Sequence, residues 1–414
     1  MIIGCVGDNH FDETHRFDEC VRLHDWIADD GSRRGVELWL LAGDLFERKS
    51  TIRERLAAAR FLQRLADTAP VLVIRGNHDV VGDLQIFSKI RARCTIFVDE
   101  GAGVHTLVAG PRVLAHVACL SWPRKAEVRA MLERVRGEPL AGEEAEAASA
   151  LMLKNVLRGL GAQLGAAAET RPAPRILLAH AMVRGSITSH GQPLVGCDFE
   201  LGLEDLALVD ADVAVLGHIH KPQEWAWQCD GVTTPILYTG SPRRTAFGEI
   251  EEKGYVILDM PDEGRNDPAT GLVGFRSERI PTPCSAMILV DAAWNPETRV
   301  FSFDGDGINM ADPGWWQSVP MGAEMRFRYR VDSDQRDAAR AAAEQWADLA
   351  GKIASVIKIE EVVQTTTRAR VPEMAQAVTT AEQLDALWSA KGLVIEESRR
   401  DRLRAKLDIL ELAA

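Results

Sequence analysis

The sequence predicts an α/β fold built on a parallel-rich sheet, and three observations predict it. Compact apolar runs at Ile2–Val6, Leu38–Leu41 and Val71–Ile74 have the length of buried strands. Between them, residues 16–27 and 52–65 space their apolar side chains at helical intervals. Each run then leads into a short polar motif, GDNH (7–10), AGDLF (42–46) and RGNHD (75–79), at the edge where a parallel sheet carries its functional loops.

The remaining elements follow in order. Residues 126–168 turn to Ala, Glu, Leu and Arg without a β-branched run, which predicts a helical excursion ended by Arg171-Pro172-Ala173-Pro174. The sheet is expected to resume at Ile176–Ala179 and to continue through Val213–Leu216, Ile236–Thr239, Tyr255–Leu258 and Gly274–Ile280. These elements place a catalytic domain at residues 1–282. Strands at Ala286–Val290, Met325–Val331 and Ser355–Val363, with an amphipathic helix over Gln335–Ala350, predict a small α+β domain at 283–370. In the tail, 371–414, Thr380 with Gln383 reads as a capping box opening a helix through Trp388, and Leu403, Leu407 and Leu410 stripe a final helix.

Composition bounds the function. A chain of 414 residues with 48 basic and 61 acidic side chains carries a formal net charge of −13, which disfavours adhesion to nucleic acid or anionic membrane through bulk charge. Any nucleic-acid contact must be local. The 7 cysteines (Cys5, Cys20, Cys94, Cys119, Cys197, Cys229, Cys284) are dispersed and form no C-x-x-C pair, so free thiols in a reducing cytoplasm are expected. No run approaches membrane-spanning length, and a cleaved leader would remove Asp8 and its neighbours, so a cytoplasmic protein without a membrane association is expected.

The motifs carry the chemistry. Asp8 and His10 stand two residues apart beyond a strand, as do His218 and His220 in GHIH (217–220), a spacing that turns two side chains toward one cation. Asp44 follows Gly43, Asn77 and His78 follow Gly76, and His180 ends the run Ile176–Ala179. A lone D-x-H or GD arises often by chance, a turn explains an isolated Asp or Asn, and a single buried histidine is more often a satisfied core residue than a ligand. Five of the chain's 10 histidines nevertheless fall in these strand-end motifs, and chance placement does not account for that concentration. Carboxylate, amide and imidazole donors together suit Mn²⁺, Fe²⁺ or Zn²⁺ better than Ca²⁺, and two such ions activate water for attack on a phosphoester without a covalent nucleophile.

In this order the motifs resemble the calcineurin-like metallophosphoesterase superfamily. Residues 217–223 (GHIHKPQ) and 238–259 (YTGSPRRTAFGEIEEKGYVILD) are similar to SbcD-type nuclease subunits of bacterial SbcCD complexes. The resemblance implies a double β-sheet sandwich flanked by helices, followed by a small capping domain and C-terminal helices that dock on an SbcC-like ATPase of the SMC family. It implies that Asp8, His10 and His220 hold one ion, that Asn77, His180 and His218 hold the other, and that Asp44 bridges them. It further implies that His78 meets the scissile phosphate and that Asp79 orients His78. Arg48, Lys49, Arg53, Lys221, Arg243 and Arg244 are the candidate phosphate contacts. In the archaeal and eukaryotic branch a histidine follows GDLF, whereas this chain has Glu47. The resemblance also implies a homodimer.

Two functional classes follow: a manganese-dependent DNA exonuclease and endonuclease in repair or recombination, or a stand-alone phosphodiesterase on a small nucleotide or cyclic diester. A scaffold built on a decayed enzyme is disfavoured by the intact ligand set. The GSPRRTAFGE stretch and the added C-terminal domain favour the nuclease.

Overall fold

Ile2–Val6 forms β1, buried almost throughout, as a strand covered on both faces must be. The computed structural model describes residues 1–137, 139, 142–189, 199–229, 232–261, 276–303, 317, 319–354, 356–364, 379–393 and 395–411. Gly274, Ser355, Cys197, the 370/371 boundary and the side chains of Leu407 and Leu410 lie outside the described residues. After α1 (Phe17–Arg33), β2 (Leu38–Leu41) lies parallel to β1. After α2 (Ile52–Ala66), β3 (Val71–Ile74) and β4 (Ile96–Asp99) extend the same parallel run. A capping box between Thr51 and Glu54 starts α2 by satisfying two N–H groups that the helix leaves open.

The chain then forms β5 (Ala102–Ala109), β6 (Arg112–Leu120), α3 (Lys125–Arg136), α4 (Gly142–Thr170) and β7 (Arg175–His180). The short strands β8 (Met182–Val183) and β9 (Glu200–Leu201) and the turn of helix α5 (Leu203–Leu206) precede β10 (Val213–Gly217). β11 (Gln223–Cys229), β12 (Val232–Tyr238), β13 (Gly254–Asp259) and β14 (Arg276–Pro281) complete two six-stranded sheets, ordered β14-β13-β1-β2-β3-β4 and β11-β12-β10-β7-β6-β5. The first sheet runs parallel from β1 to its edge strand β4 and antiparallel through β13 and β14, whereas the second has a parallel centre, β12-β10-β7-β6, with antiparallel β11 and β5 at its edges.

Period-two alternation sends each strand's side chains into two cores. Ile3, Cys5, Leu40 and Leu72 of the first sheet meet Val117, Leu178, Val213 and Val215 of the second. The opposite faces pack on helices: Trp39, Leu41 and Val73 against Ile27 and Phe61, and Leu177, Ala179 and Leu216 against Leu153, Leu157 and Leu164. The result is the double-sheet sandwich flanked by helices that the resemblance implies.

Trp39 shows how tightly the outer core is fitted. It is fully buried, and a Cβ added at Gly4 or Gly31 would lie 2.3 or 2.2 Å from its ring, so strand and helix glycines make its slot. Trp39→Ala is expected to cost about 3–5 kcal/mol of stability, the range for a large aromatic removed from a rigid core. A denaturant midpoint unchanged from the parent would contradict this packing role.

The chain separates into two compact units. The sandwich lies in the first, Met1–Leu289 with Trp316–Arg326 and Gly351–Ile357; the second comprises Val290–Trp315, Phe327–Ala350 and Lys358–Ala414. A further four-stranded sheet has the order Val300–Phe303, Met287–Asn295, Glu324–Asp332, Val356–Gln364. In the second unit, helix Arg336–Ala350 stacks Trp346 on Phe327 with ring centroids 4.3 Å apart. Among the described residues no helix is long and apolar enough to cross a membrane.

Local differences from the sequence reading have physical causes. The helical excursion is two helices, because Gly137 adopts a left-handed conformation (φ 81°) that ends α3. The tail helix, Thr380–Ala390, is capped one residue earlier than expected, by Thr379 and Glu382, whose carboxylate is a stronger acceptor at a positive helix end than Gln383.

Candidate metal centre

Parallel strands deliver every motif to one edge. Asp8 and His10 follow β1, Asp44 follows β2, and Asn77 and His78 follow β3; His180 ends β7, and His218 and His220 follow β10. The strands come from both sheets, so the site sits at the seam of the sandwich, above the carboxyl ends of its central strands. Of the seven non-glycine residues with positive φ among those described, four are Asp8 (51°), His10 (46°), Asp44 (49°) and His218 (105°). L-residues adopt such backbone only where surrounding structure imposes it, and functional loops are where that occurs. Gly76 permits the closeness of two of these loops: a Cβ there would lie 2.1 Å from Asp44 Oδ1.

The side chains form two neighbouring donor groups. His10 Nε2 lies 3.0 Å from His220 Nε2, and Asp8, His10 and His220 offer ligand atoms within 4.8 Å of one another. Asp8 Oδ1 accepts the His218 N–H at 2.9 Å, whereas Asp8 Oδ2 is buried without a hydrogen-bond partner. Asn77 Oδ1 lies 2.8 Å from His180 Nε2 and 3.0 Å from His218 Nδ1. Asp44 Oδ2 stands between the groups, 3.4 Å from His180 Nε2 and 3.9 Å from His10 Nε2. A buried carboxylate oxygen without a donor, beside imidazole nitrogens converging on each other, is costly in an empty core and natural around cations. The donor set therefore fits two divalent metal ions.

Three of the imidazoles have a polar partner behind the ring, which favours one nitrogen facing the centre. His180 Nδ1 donates to the Ala42 carbonyl at 2.7 Å. His10 Nδ1 lies 2.7 Å from Glu47 Oε2, and His220 Nδ1 lies 3.0 Å from Glu249 Oε1. Trp122 covers His218, its ring centroid 4.6 Å away. Electrostatics follow the geometry. Burial alone would raise the Asp44 carboxyl, but His180, His10 and His78 outweigh it and hold it well below the usual carboxylate range. Burial alone would lower His180, but Asp44 and Asp8 carry it up to about 9. Burial and the neighbouring His180 push His218 down to about 3.

His78 is the exposed member. Its side chain is 24 % accessible and lines a cavity of ≈ 170 Å³ together with His10, Asp44, Glu47, Asn77 and His218. Its Nδ1 donates to the Glu47 carbonyl at 2.7 Å, which leaves Nε2 as the nitrogen for exchange with a ligand. Asp79 does not orient it. The Asp79 carboxylate accepts from the backbone N–H groups of Gly76, Phe46 and Leu45 at 2.8, 2.9 and 3.2 Å, so its work is to clamp the AGDLF and RGNHD loops together. Burial and the charge of Asp44 raise its carboxyl to about 6.

The candidate phosphate contacts divide. Arg243 is buried and donates to the carbonyls of His10 (2.6 Å) and His15 (3.4 Å); Arg244 donates to those of Glu249 (2.9 Å), Glu251 (3.2 Å) and Ser285 (3.4 Å). Arg244 also donates to Cys284 Sγ at 3.1 Å, whereas Arg243 lines the cavity of the metal centre and its Nε has no hydrogen-bond partner. Arg48 pairs with Asp12 at 2.7 Å and Arg53 with Asp18 at 3.2 Å. Lys49 is exposed and Lys221 half-buried.

Sequence reasoning missed Glu249, and it missed His24, which stands outside the motifs in α1. His24 Nδ1 donates to the Cys20 carbonyl at 2.7 Å, and burial holds the ring neutral by pushing it down to about 3. Its bare Nε2 faces the Asn9 side-chain amide at 2.9 Å, so the amide NH₂ is the group that satisfies it, and the turn between Asp8 and His10 is pinned.

A sequence model of the calcineurin-like phosphoesterase family matches residues 1–222. The chain belongs to that family. Members are metal-dependent phosphoester hydrolases that use paired divalent ions, as the donor groups above accommodate. Among solved structures, the chain is similar to GAP50, the anchor in the inner membrane complex of Plasmodium, with 10% identity over 68% of this chain and 89% of that one (TM-score 0.41). It is similar to the TT1561 protein of Thermus thermophilus, with 14% identity over 62% and 93% of the two chains (TM-score 0.37). A dimetal phosphatase from Danio rerio shares 10% identity over 67% of this chain and 95% of its own (TM-score 0.38).

Proposed function

We propose that this phosphoesterase is a DNA exonuclease and endonuclease of the SbcD type. The observation that carries the reading is the stretch 238–259, which resembles SbcD subunits and also builds the wall of the metal centre. From it, Glu249 reaches His220, and Arg243 holds the His10 carbonyl at 2.6 Å. In this reading Asp8, His10 and His220 hold one cation, Asn77, His180 and His218 the second, and Asp44 both. Two Mn²⁺ ions held there, with Fe²⁺ or Zn²⁺ as the other ions the donors suit, would supply Lewis acidity toward a water and the phosphodiester oxygens. His78 presents Nε2 to the leaving oxygen and stabilises or protonates it as the bond breaks. Exposed Lys49 and partly screened Arg48 and Lys221 are available to the DNA backbone.

Partners follow from the same reading: DNA, an SbcC-like ATPase of the SMC family, and a second copy of the chain. For the second copy, Ile52, Leu56, Val81 and Ile86 are 72, 67, 54 and 58% exposed, and Asp83 ties their two segments together through Ser50 and Arg55. The test is Mn²⁺-dependent cleavage of end-labelled duplex and hairpin DNA by the purified chain, with a small phosphodiester alongside. DNA cleavage that His78→Ala abolishes is expected. Cleavage of the small ester alone, also in the presence of an SbcC-type ATPase, would replace the nuclease with a small-molecule phosphodiesterase.

A further inference from the structure

The two cation positions are backed by different chemistry. At the first, Asp8 contributes a full negative charge and the far nitrogens of both histidines face carboxylates, Glu47 Oε2 at 2.7 Å from His10 and Glu249 Oε1 at 3.0 Å from His220. At the second, Asn77 contributes a neutral amide, and the far nitrogen of His180 donates to the uncharged carbonyl of Ala42 at 2.7 Å. We propose that Glu47 and Glu249 are positioning residues that make the Asp8–His10–His220 position the tighter of the two, leaving the Asn77–His180–His218 position as the one that fills and empties. The inference rests on the two-cation reading above and on no particular substrate.

The physical reason is polarisation. A carboxylate at the far nitrogen of an imidazole concentrates electron density on the ligating nitrogen and favours one tautomer, and a neutral carbonyl does so more weakly. At His220 that contact is a hydrogen bond; at His10 it is an ion-pair contact at 2.7 Å without hydrogen-bond alignment. The negative charge of Glu249 is balanced inside the fold. Lys253 Nζ lies 3.1 Å from its Oε2, and the Thr245 N–H donates to the same oxygen at 2.9 Å. Lys253 is itself fully enclosed and also meets Glu251 at 2.6 Å and Ser241 at 3.0 Å, so the ion group is anchored on several sides. Glu47 serves two residues at once. Its side chain backs His10 while its carbonyl accepts from His78 Nδ1, so the residue that stabilises one cation ligand also aims the group proposed to meet the leaving oxygen.

The test reads binding and needs no turnover. Mn²⁺ is titrated into the metal-free chain by calorimetry and by loss of the free-ion electron paramagnetic resonance signal. The parent is expected to bind in a tight and a weaker step. Glu47→Gln keeps a hydrogen-bond acceptor of the same shape and removes only charge; it should weaken the tight step by about 10–100-fold and leave the weaker step nearly in place. Thermal unfolding of the metal-free variant should match the metal-free parent, which a merely structural role would not allow. Glu249→Gln should shift the same step, but Glu249 is buried against Lys253, so Glu47→Gln is the deciding variant. A tight step unchanged in Glu47→Gln, or a change confined to the weaker step, overturns the inference while leaving the two-cation reading intact. A parent chain that binds no ion overturns both.

Discussion

Asp44→Asn is expected to lose both metal ions and to lower phosphoester hydrolysis on the order of 10⁴-fold or more, the scale seen when a residue central to a catalytic unit is removed. Asp44 Oδ2 stands between the two donor groups, 3.4 Å from His180 Nε2 and 3.9 Å from His10 Nε2. Asparagine keeps the volume and can still accept the His78 N–H that Asp44 Oδ1 takes at 2.9 Å, so the loop should survive. What disappears is the negative charge shared by the two positions, and an amide NH₂ turned toward imidazoles repels a cation. Metal content by elemental analysis and hydrolysis of a chromogenic phosphodiester read the two effects together. A variant that retains two ions per chain would remove Asp44 from the bridging role.

His78→Ala separates binding from chemistry. The side chains of His10, His180 and His220 in the donor groups are at most 9 % exposed, whereas the His78 side chain is 24 % accessible at the cavity, held there by the Glu47 carbonyl. Both cation positions should therefore fill in the variant, while kcat falls by roughly 10²–10⁴-fold, the range for a lost general acid. KM should change little if His78 acts on the transition state alone. An unaltered kcat would take His78 out of the mechanism; a lost ion would make it a ligand.

The parallel strands were legible because they are buried on both faces and so read as unbroken apolar runs: Ile2–Val6, Leu38–Leu41 and Val71–Ile74 have the same limits in sequence and structure. β5 and β6 were not, since Gly103, Ala109, Ala115 and Ala118 dilute the strand signal, although the Gly110-Pro111 turn that joins them is written in the chain. The donor groups could be anticipated because each ligand sits immediately beyond a run, where spacing alone limits the direction of the side chain. The residues behind the ligands could not. Glu249 stands 29 residues after His220 and His24 stands 15 after Asn9, and only folding brings each pair together. Asp79 marks the other limit. Motif position says that a charged group is near a site; whether its hydrogen bonds go to a ligand or to the loop's own backbone depends on burial.

The placement of β1 has a consequence for biosynthesis. β1 lies between β2 and β13, so the strand that carries Asp8 and His10 gains its second neighbour only when Val256–Asp259 has left the ribosome. β10, which carries His218 and His220, likewise waits for β12. A nascent chain that has reached residue 222, where the family match ends, holds every residue of the two donor groups but still has open edges on both central sheets. Open edges recruit foreign strands, and pairings this distant in sequence close slowly. The loop made first is thus among the last to be secured, and for that interval the newborn sandwich depends on chaperones or on speed to stay out of aggregates.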